Sequence, residues 1–333
     1  MNKNTISFFL NDKKVQANET ESIWQAAKRL GEEIPHLCYS DEKSYRADGN
    51  CRACMVEIEG ERILAASCIR KPTQDMKIFT SSKRAKKSRN LVFELLLADQ
   101  PERQTSHNKN SHFWKWIDKL ELNNSRFLSK AICVADVSHP SIAVNLDACI
   151  QCNLCVRACR EVQVNDVIGM AYRGEKSKIV FDFDDPMGES TCVACGECVQ
   201  ACPTGALMPA SVVDEKGIGH TDIDHKVESV CPYCGVGCQI EYNVKDNKIK
   251  YVNGLDGPAN KNRLCVKGRF GFDYVSNPER LTKPLIRING KPKDLHPNIN
   301  FSNIHEYFRE ASWEEALDFA SEGLKKIKSE KSV

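Results

Sequence analysis

The sequence has no long apolar run and no excess of charge of one sign. No stretch approaches the roughly 18 apolar residues of a membrane span, and the first residues carry neither a signal-peptide core nor a twin-arginine signal. The formal net charge is +2, with 47 basic and 45 acidic side chains interspersed. We therefore expect a cytoplasmic protein without a membrane span, and no general footprint for nucleic acid.

The sequence also lacks the glycine-rich motif of dinucleotide-binding proteins. No Gly-x-Gly-x-x-Gly follows a predicted strand, and no hydrolase-like arrangement of serine, histidine and aspartate is evident. Nicotinamide or flavin binding is therefore not expected within this chain. Electrons would have to enter and leave through other polypeptides or through a region that the chain does not contain.

Cysteine is abundant. The sequence has 17 cysteines, and all but one fall into four groups of four. Disulfides are disfavoured in a reducing compartment, so such groups are predicted to bind metal clusters, and a series of redox centres indicates electron transfer. The groups are Cys38, Cys51, Cys54 and Cys68; Cys149, Cys152, Cys155 and Cys159; Cys192, Cys195, Cys198 and Cys202; and Cys231, Cys234, Cys238 and Cys265.

The two middle groups share the spacing C-x2-C-x2-C-x3-C and resemble each other between the cysteines, as an internal repeat does. In two-cluster ferredoxins the fourth cysteine of this pattern ligates the other cluster. Zinc is strongly disfavoured once both copies are counted. We therefore assign one [4Fe–4S] cluster to Cys149, Cys152, Cys155 and Cys202, and the other to Cys192, Cys195, Cys198 and Cys159.

The first group, Cys38 to Cys68, keeps the inner C-x2-C of plant-type [2Fe–2S] proteins but lengthens the gap before it to 12 residues. Gly49 would let the backbone approach the cluster closely. Zinc suits C-x2-C with outlying cysteines, but the strand-rich setting and the neighbouring clusters favour [2Fe–2S].

The fourth group has the spacing C-x2-C-x3-C-x26-C and is assigned a third [4Fe–4S] cluster. Lys267 follows its last cysteine. A lysine is by default solvated, but a buried cation beside a cluster could raise its potential or contact a cofactor. The remaining cysteine, Cys133, has no partner nearby and is predicted to be a buried, inert thiol.

Local patterns predict the secondary structure. Alternating residues predict a strand at 5–10, a turn at Asn11-Asp12, a helix from Ser22 to Gly31 and a strand at 55–59. In the spacer, Leu91, Val92, Leu95 and Leu96 are expected to share one buried helix face, and Trp114, Ile117 and Leu120 another. A hairpin is expected around Asp246-Asn247, and a helix capped by Ser312 follows. Since that helix ends near Val333 with nothing to pack on, we expect a fragment of a longer protein.

Together these patterns predict an α+β multidomain protein with small cysteine-bearing modules. The expected domains are a [2Fe–2S] ferredoxin-like domain with a small mixed sheet and one helix (1–80), a helical spacer (81–140), a two-[4Fe–4S] ferredoxin domain (141–212), a small β-rich [4Fe–4S] domain (225–285) and an incomplete final region (286–333).

The fourth group resembles a known family. The sequence Cys-Pro-Tyr-Cys-Gly-Val-Gly-Cys at 231–238, with Cys265-Val266-Lys267-Gly268, is similar to the iron–sulfur domain of the molybdenum or tungsten bis-molybdopterin oxidoreductases, and its form resembles the formate dehydrogenase branch. In that family the matching lysine lies between a [4Fe–4S] cluster and a pterin. The resemblance therefore implies that Lys267 is an electron relay and that residues 286–333 begin a molybdopterin-binding region.

The order of the upstream modules is similar to three groups of proteins: the large iron–sulfur subunit of respiratory complex I, the [FeFe] hydrogenases and the α subunit of NAD-dependent formate dehydrogenases. The last of these is the most similar around 155–166 and 192–198. The resemblance to these proteins implies a β-grasp fold for the [2Fe–2S] domain. One departure is that these families commonly have, in the spacer, a cluster with one histidine and three cysteine ligands, whereas here the corresponding place has Gln100-Pro101 and no cysteine before Cys133. That cluster is expected to be absent.

The resemblance implies that the full-length protein is an NAD-linked formate dehydrogenase with bis-molybdopterin guanine dinucleotide and Mo or W. A flavin- and NAD-binding β subunit, with a small [2Fe–2S] γ subunit as a further candidate, would receive the electrons. No catalytic metal ligand is expected in these residues. The alternatives are another molybdopterin oxidoreductase, a complex I subunit, or a stand-alone multi-cluster electron carrier.

Overall fold

The computed structural model describes residues 5–42, 44–129, 133–291, 293 and 298–329, and confirms the α+β class. The chain forms two compact units that meet in sequence at Phe272 and Asp273. This division is coarser than the five predicted domains, and it falls inside the predicted domain 225–285. The reason is visible in the first unit, where Cys38 and Tyr45 belong to the same buried cluster as the cysteines of 141–212.

The first sheet is mixed and carries one helix, as predicted. The strand order is β2-β1-β5-β3-β4, and only β1 and β5 are parallel. Asn11 and Asp12 have φ values of 48° and 65° in the turn, and Ser22 caps the helix by accepting from the Gln25 N–H at 3.2 Å. The elements are β1 (Thr5–Leu10), β2 (Lys13–Asn18), α1 (Ile23–Arg29), β3 (Met55–Ile58), β4 (Ala65–Ala66) and β5 (Lys77–Phe79).

The described part of the spacer contains two α-helices, α2 (Lys83–Ala98) and α3 (His112–Lys119). Trp114 and Ile117 are buried, as predicted. The predicted core face of α2 is wrong, since Leu91 and Leu95 are exposed and Phe93 is fully buried. Phe93 stacks on Phe113 with ring centroids 6.0 Å apart, so the larger aromatic area turns this face of α2 inward.

The segment 141–212 has the internal symmetry that its sequence repeat predicts. Gln151 and Asn153 in the first copy have positive φ values of 54° and 63°, and the equivalent Ala194 and Gly196 have 53° and 71°. Helix α4 continues into a π turn, Ala158–Val162. The elements are β6 (Ile142–Val144), α4 (Leu154–Arg157), β7 (Ile168–Ala171), β8 (Lys178–Phe181), α5 (Glu197–Ala201) and β9 (Leu207–Pro209), with β6 paired to β9 and β7 to β8.

A three-stranded antiparallel sheet completes the first unit. Its order is β10-β11-β12, and Asp246 and Asn247 form the predicted hairpin turn with φ values of 51° and 56°. A short helix follows the sheet. The elements are β10 (His225–Val230), β11 (Gln239–Lys245), β12 (Lys248–Gly254) and α6 (Val266–Phe270).

The second unit contains β13 (Leu285–Arg287) paired with β14 (Phe308–Glu310), and α7 (Trp313–Ser329). Ser312 caps α7 as predicted, since the Glu315 N–H donates to its hydroxyl at 3.1 Å. Within the described ranges, no helix has both the length and the apolar character needed to cross a bilayer. Short 3-10 turns lie at Arg103–Thr105, Leu146–Ala148, Gly174–Lys176, Met187–Glu189, Ala210–Val212, Gly271–Ser276 and Ile304–Glu306.

Candidate iron–sulfur centres

The first cysteine group is arranged as two close pairs. The N–H of Cys38 donates to Cys51 Sγ at 3.4 Å, and the N–H of Cys51 donates to Cys38 Sγ at 3.3 Å. The hydrogen bond between the two thiols lowers the pKa of Cys51 to about 6 and raises that of Cys38. A second such bond lowers the pKa of Cys54 and raises that of Cys68. Two pairs suit a [2Fe–2S] cluster, in which two irons share four thiolates.

Gly49 has the backbone freedom that the sequence predicts for it. Its φ is +65°, and a Cβ there would lie 3.0 Å from Ile69 Cδ1. Both the positive φ and the close approach favour glycine at this turn before Cys51.

The two middle groups exchange their last cysteines in space. One small cavity is lined by Cys149, Cys152, Cys155 and Cys202. Another is lined by Cys159, Cys192, Cys195 and Cys198. These are the two sets assigned from the sequence, brought together by the fold; that they ligate clusters stays a prediction.

Main-chain donors point at the sulfurs of both cavities. The N–H of Gln151 donates to Cys149 Sγ at 3.4 Å, and the equivalent N–H of Ala194 donates to Cys192 Sγ at 3.3 Å. The N–H of Val167 donates to Cys159 Sγ at 3.3 Å. Burial raises the pKa values of Cys155 and Cys198, so these thiols would hold their protons until a metal displaces them. The donors and the burial fit cluster ligands.

Among the described residues, no three His, Cys, Asp or Glu side chains converge on a point that could hold a single metal ion. A cluster spreads its ligands over several irons, so its four thiols need not meet at one point.

We predict that two serine substitutions will separate the two middle sites. Cys202→Ser is expected to remove or alter the cluster of Cys149, Cys152 and Cys155 and leave its neighbour intact, although Cys202 is close in sequence to Cys198. Cys159→Ser is expected to do the reverse. Electron paramagnetic resonance of each anaerobically purified variant tests this. Loss of the Cys192 cluster in Cys202→Ser would contradict the exchange.

The fourth group lies at the end of the three-stranded sheet. Cys231 follows β10, Cys238 precedes β11, and Cys265 precedes α6. The Cys231 N–H donates to the Cys238 carbonyl at 2.8 Å. Desolvation, and then the charges of Cys231, Cys234 and Cys265, raise the pKa of Cys238, so the four thiols lie together. Cys234 and Cys265 are exposed, and this site therefore opens at the surface of the first unit.

Lys267 and Cys133 both lie at the surface. Lys267 is exposed on α6, whereas the next two residues of the helix, Gly268 and Arg269, are buried. Its role as a relay stays a prediction. Cys133 is exposed, so the prediction of a buried thiol is wrong. Its neighbour Val134 is 96% exposed, so neither of these two side chains packs into the core.

A buried arginine joins the first two sites. Arg157 is 1% exposed, and its Nη2 donates to the Cys38 carbonyl at 2.8 Å and to the Cys152 carbonyl at 3.3 Å. Its Nε lies 3.3 Å from Asp48 Oδ2. The Cys152 thiol is also close enough to the Cys38 thiol to raise the pKa of Cys38. One side chain therefore holds the backbone of a cysteine from each group.

A second buried arginine joins the third and fourth sites. Arg269 on α6 donates from Nε to the Cys195 carbonyl at 3.0 Å, and its Nη2 lies 3.8 Å from Glu197 Oε2. The Tyr45 hydroxyl donates to Glu197 Oε1 at 2.9 Å. Between these junctions, the two middle cavities adjoin, since the Cys198 thiol influences the pKa of Cys155. Sequence reasoning missed Arg157, Arg269 and Glu197 as site residues, because only the fold brings them to the cysteines.

Three family models match the chain. They are the 2Fe-2S iron-sulfur cluster binding domain at residues 3–83, the 4Fe-4S dicluster domain at 148–206 and the molybdopterin oxidoreductase Fe4S4 domain at 224–277. The chain carries the iron–sulfur domains of the molybdopterin oxidoreductase family. The last match includes all four cysteines of the fourth group and Lys267, and so confirms the resemblance of this segment to the iron–sulfur domain of the molybdopterin oxidoreductases.

The chain is similar over most of its length to curated proteins that have different names. A protein of Bacillus subtilis named as a probable oxidoreductase is 29% identical over 355 aligned positions, which cover 95% of this chain and 34% of that protein. An NADH-quinone oxidoreductase subunit of Rhizobium meliloti is 30% identical, covering 96% of this chain and 35% of its own length. A candidate formate dehydrogenase of Staphylococcus haemolyticus is 28% identical, covering 89% and 32%. The chain thus spans about a third of the length of these relatives.

A solved structure shares the fold. The NAD+-reducing [NiFe]-hydrogenase in the H2-reduced state matches with a TM-score of 0.56 and 24% identity, covering 61% of this chain and 87% of the hydrogenase chain. The fold of this part of the chain therefore occurs in a solved protein.

Proposed function

We propose that this chain is the electron-transfer portion of the α subunit of a cytoplasmic, molybdopterin-dependent formate dehydrogenase. The observation that supports this most strongly is the continuity of the four cysteine groups within one compact unit. Arg157 links the first two groups, the cavities of the middle two adjoin, and Arg269 links the third to the fourth. Iron–sulfur clusters, when bound there, would each accept and release one electron.

The residues of the chain would hold and insulate these centres. The four cysteine groups would hold one [2Fe–2S] in a β-grasp domain and three [4Fe–4S] clusters. Buried apolar side chains such as Ile142, Ile168 and Leu207 surround the middle sites and would exclude water. Lys267, exposed on α6 beside the fourth site, would contact a pterin in the complete protein. Formate would be the substrate, and a flavin- and NAD-binding partner, with or without a small [2Fe–2S] subunit, the acceptor.

A native, full-length preparation tests this proposal. We expect pterin to be present and formate to reduce the cluster signals seen by electron paramagnetic resonance under anaerobic conditions, with NAD+ and the partner subunit reoxidising them. Pterin without formate-driven reduction would point to another molybdopterin oxidoreductase.

A second candidate is a complex I subunit, favoured by the 30% identity to the NADH-quinone oxidoreductase subunit of Rhizobium meliloti. This candidate predicts that NADH, and not formate, reduces the clusters, and that pterin is absent. A stand-alone electron carrier would also lack pterin, but it would co-purify with no NADH-oxidising partner.

The cluster count gives a further prediction. One [2Fe–2S] and three [4Fe–4S] clusters correspond to about 14 irons per chain. Inductively coupled plasma analysis of anaerobically purified protein, with the protein concentration from amino-acid analysis, is the measurement. A value near 18 (about four irons more) would show that a spacer cluster exists after all.

A further inference from the structure

The third cysteine site has two buried charges of opposite sign beside it. The side chains of Arg269 and Glu197 are each 2% exposed, and their nearest charged atoms are 3.8 Å apart. Arg269 donates to the carbonyl of Cys195, and Glu197 stands in the sequence between Cys195 and Cys198. Burying charges is costly, and one nitrogen of Arg269 and one oxygen of Glu197 have no hydrogen-bond partner among the described residues.

The two charges occupy different positions around this site. The guanidinium is held by the Cys195 main chain, while the carboxylate is held by the Tyr45 hydroxyl at 2.9 Å. Gly196 maintains the arrangement, because a Cβ there would overlap the Arg269 side chain. At 3.8 Å the pair is longer than a direct hydrogen bond but lies within ion-pair distance. The two charges partly offset each other, so removing either one leaves the other uncompensated beside the cluster site.

We propose that Arg269 and Glu197 set the reduction potential of the cluster held by Cys159, Cys192, Cys195 and Cys198, in opposite directions. This rests on the proposed function only in that these cysteines hold a cluster. Reduction adds one electron and therefore one negative charge. Arginine stays protonated and favours the reduced state, whereas the glutamate carboxylate disfavours it. Burial weakens the screening that water would provide, and net charge and hydrogen bonding are known determinants of cluster potential.

These are positioning residues, and the sign of the shift distinguishes tuning from structural damage. Arg269→Met is expected to reduce the ratio of reduced to oxidised cluster at a fixed solution potential at least tenfold, which is a shift of about −59 mV for a one-electron couple. Glu197→Gln, which is isosteric, is expected to shift the potential upward. Arg269→Lys keeps the charge and is expected to restore most of the parent potential.

Arg160 provides a matched control. It follows the ligand Cys159, but it is 55% exposed and paired with Asp166, so solvent screens its charge. Arg160→Met is expected to change the reduced-to-oxidised ratio less than twofold. Potentiometric titration of the native, cluster-loaded protein, read by electron paramagnetic resonance, measures all four variants.

Opposite shifts that are largest at this cluster would support the proposal. Shifts of the same sign in Arg269→Met and Glu197→Gln, equal shifts in all clusters, or a shift in Arg160→Met as large as in Arg269→Met would overturn it. If Arg269→Met does not fold, Glu197→Gln decides: a raised potential supports the proposal and an unchanged one overturns it. Absence of any signal from this site in the parent protein would instead reject the cluster assignment.

Discussion

Anaerobic removal of iron is expected to unfold most of the first unit. The largest buried cluster contains Cys38, Cys152, Cys155, Cys159 and Cys198 among its residues, so the thiols themselves form part of the core. Structural zinc sites, as a reference for metal-stapled folds, contribute apparent binding free energies of ~10–16 kcal/mol, which is comparable to the ~5–15 kcal/mol stability of a typical domain. Without iron, the segment 141–212 would contain two adjoining groups of buried thiols with no metal bound to them. Burial opposes the ionisation of these thiols.

Hydrogen exchange after chelation and gel filtration measures this prediction residue by residue. The strands β7 and β8, between the two middle cysteine groups, are expected to lose protection almost completely. The sheet of β1, β2 and β5 is expected to lose less, because Phe8, Ile23 and Ile78 supply an apolar core of their own.

The pair β13 and β14 is an internal control, since residues 273–333 contain no cysteine. Its exchange should not change on chelation. Native-like protection of β7 and β8 in the iron-free protein would contradict a metal-dependent fold.

The sequence was sufficient to predict much of the site. The spacing of the cysteines is a local signal, and the exchange of Cys159 and Cys202 between the two middle sites follows the ligation pattern known from two-cluster ferredoxins. The hairpins and the helix caps are equally local, since Asn11-Asp12 and Ser22 act on residues within a few positions. Such features are set by neighbouring residues, and the structure agrees with them.

Tertiary contacts account for what could not be predicted. The inward face of α2 is selected by stacking of Phe93 on Phe113, which lies on another helix. Gln151 adopts a left-handed backbone conformation, and because it is not a glycine the sequence gives no signal of this. Cys133 has the apolar neighbours of a buried thiol and is exposed. Arg157 contacts the carbonyl of Cys38 across 119 positions of sequence, and no local pattern indicates which arginine does so.

Replacing Arg157 by methionine is expected to destabilise the junction between the first two sites by ~3–5 kcal/mol, the cost of removing one partner of a buried ion pair. Methionine fills similar space but donates no hydrogen bond. The carbonyls of Cys38, Arg46 and Cys152 would each lose a donor, and Asp48 would lose its buried partner. Unpaired buried acceptors cost ~1–3 kcal/mol each. We therefore expect a net loss of folding stability even after the neighbouring side chains have relaxed.

Two measurements separate this junction effect from general unfolding. Anaerobic guanidinium titration followed by cluster absorbance should show a lower midpoint for Arg157→Met. In the folded variant, the magnetic interaction between the reduced [2Fe–2S] cluster and the neighbouring [4Fe–4S] cluster should weaken, since Cys38 and Cys152 are no longer held by one guanidinium.

Arg157→Lys keeps the charge but not the planar fork, and should recover only part of the stability. Arg160→Met on the adjoining turn should change the free energy of unfolding by less than ~0.5 kcal/mol, as exposed substitutions do. An Arg157→Met protein with the parent midpoint and the parent magnetic interaction would show that the junction is held by apolar packing around Tyr45 and Leu154 and not by the arginine.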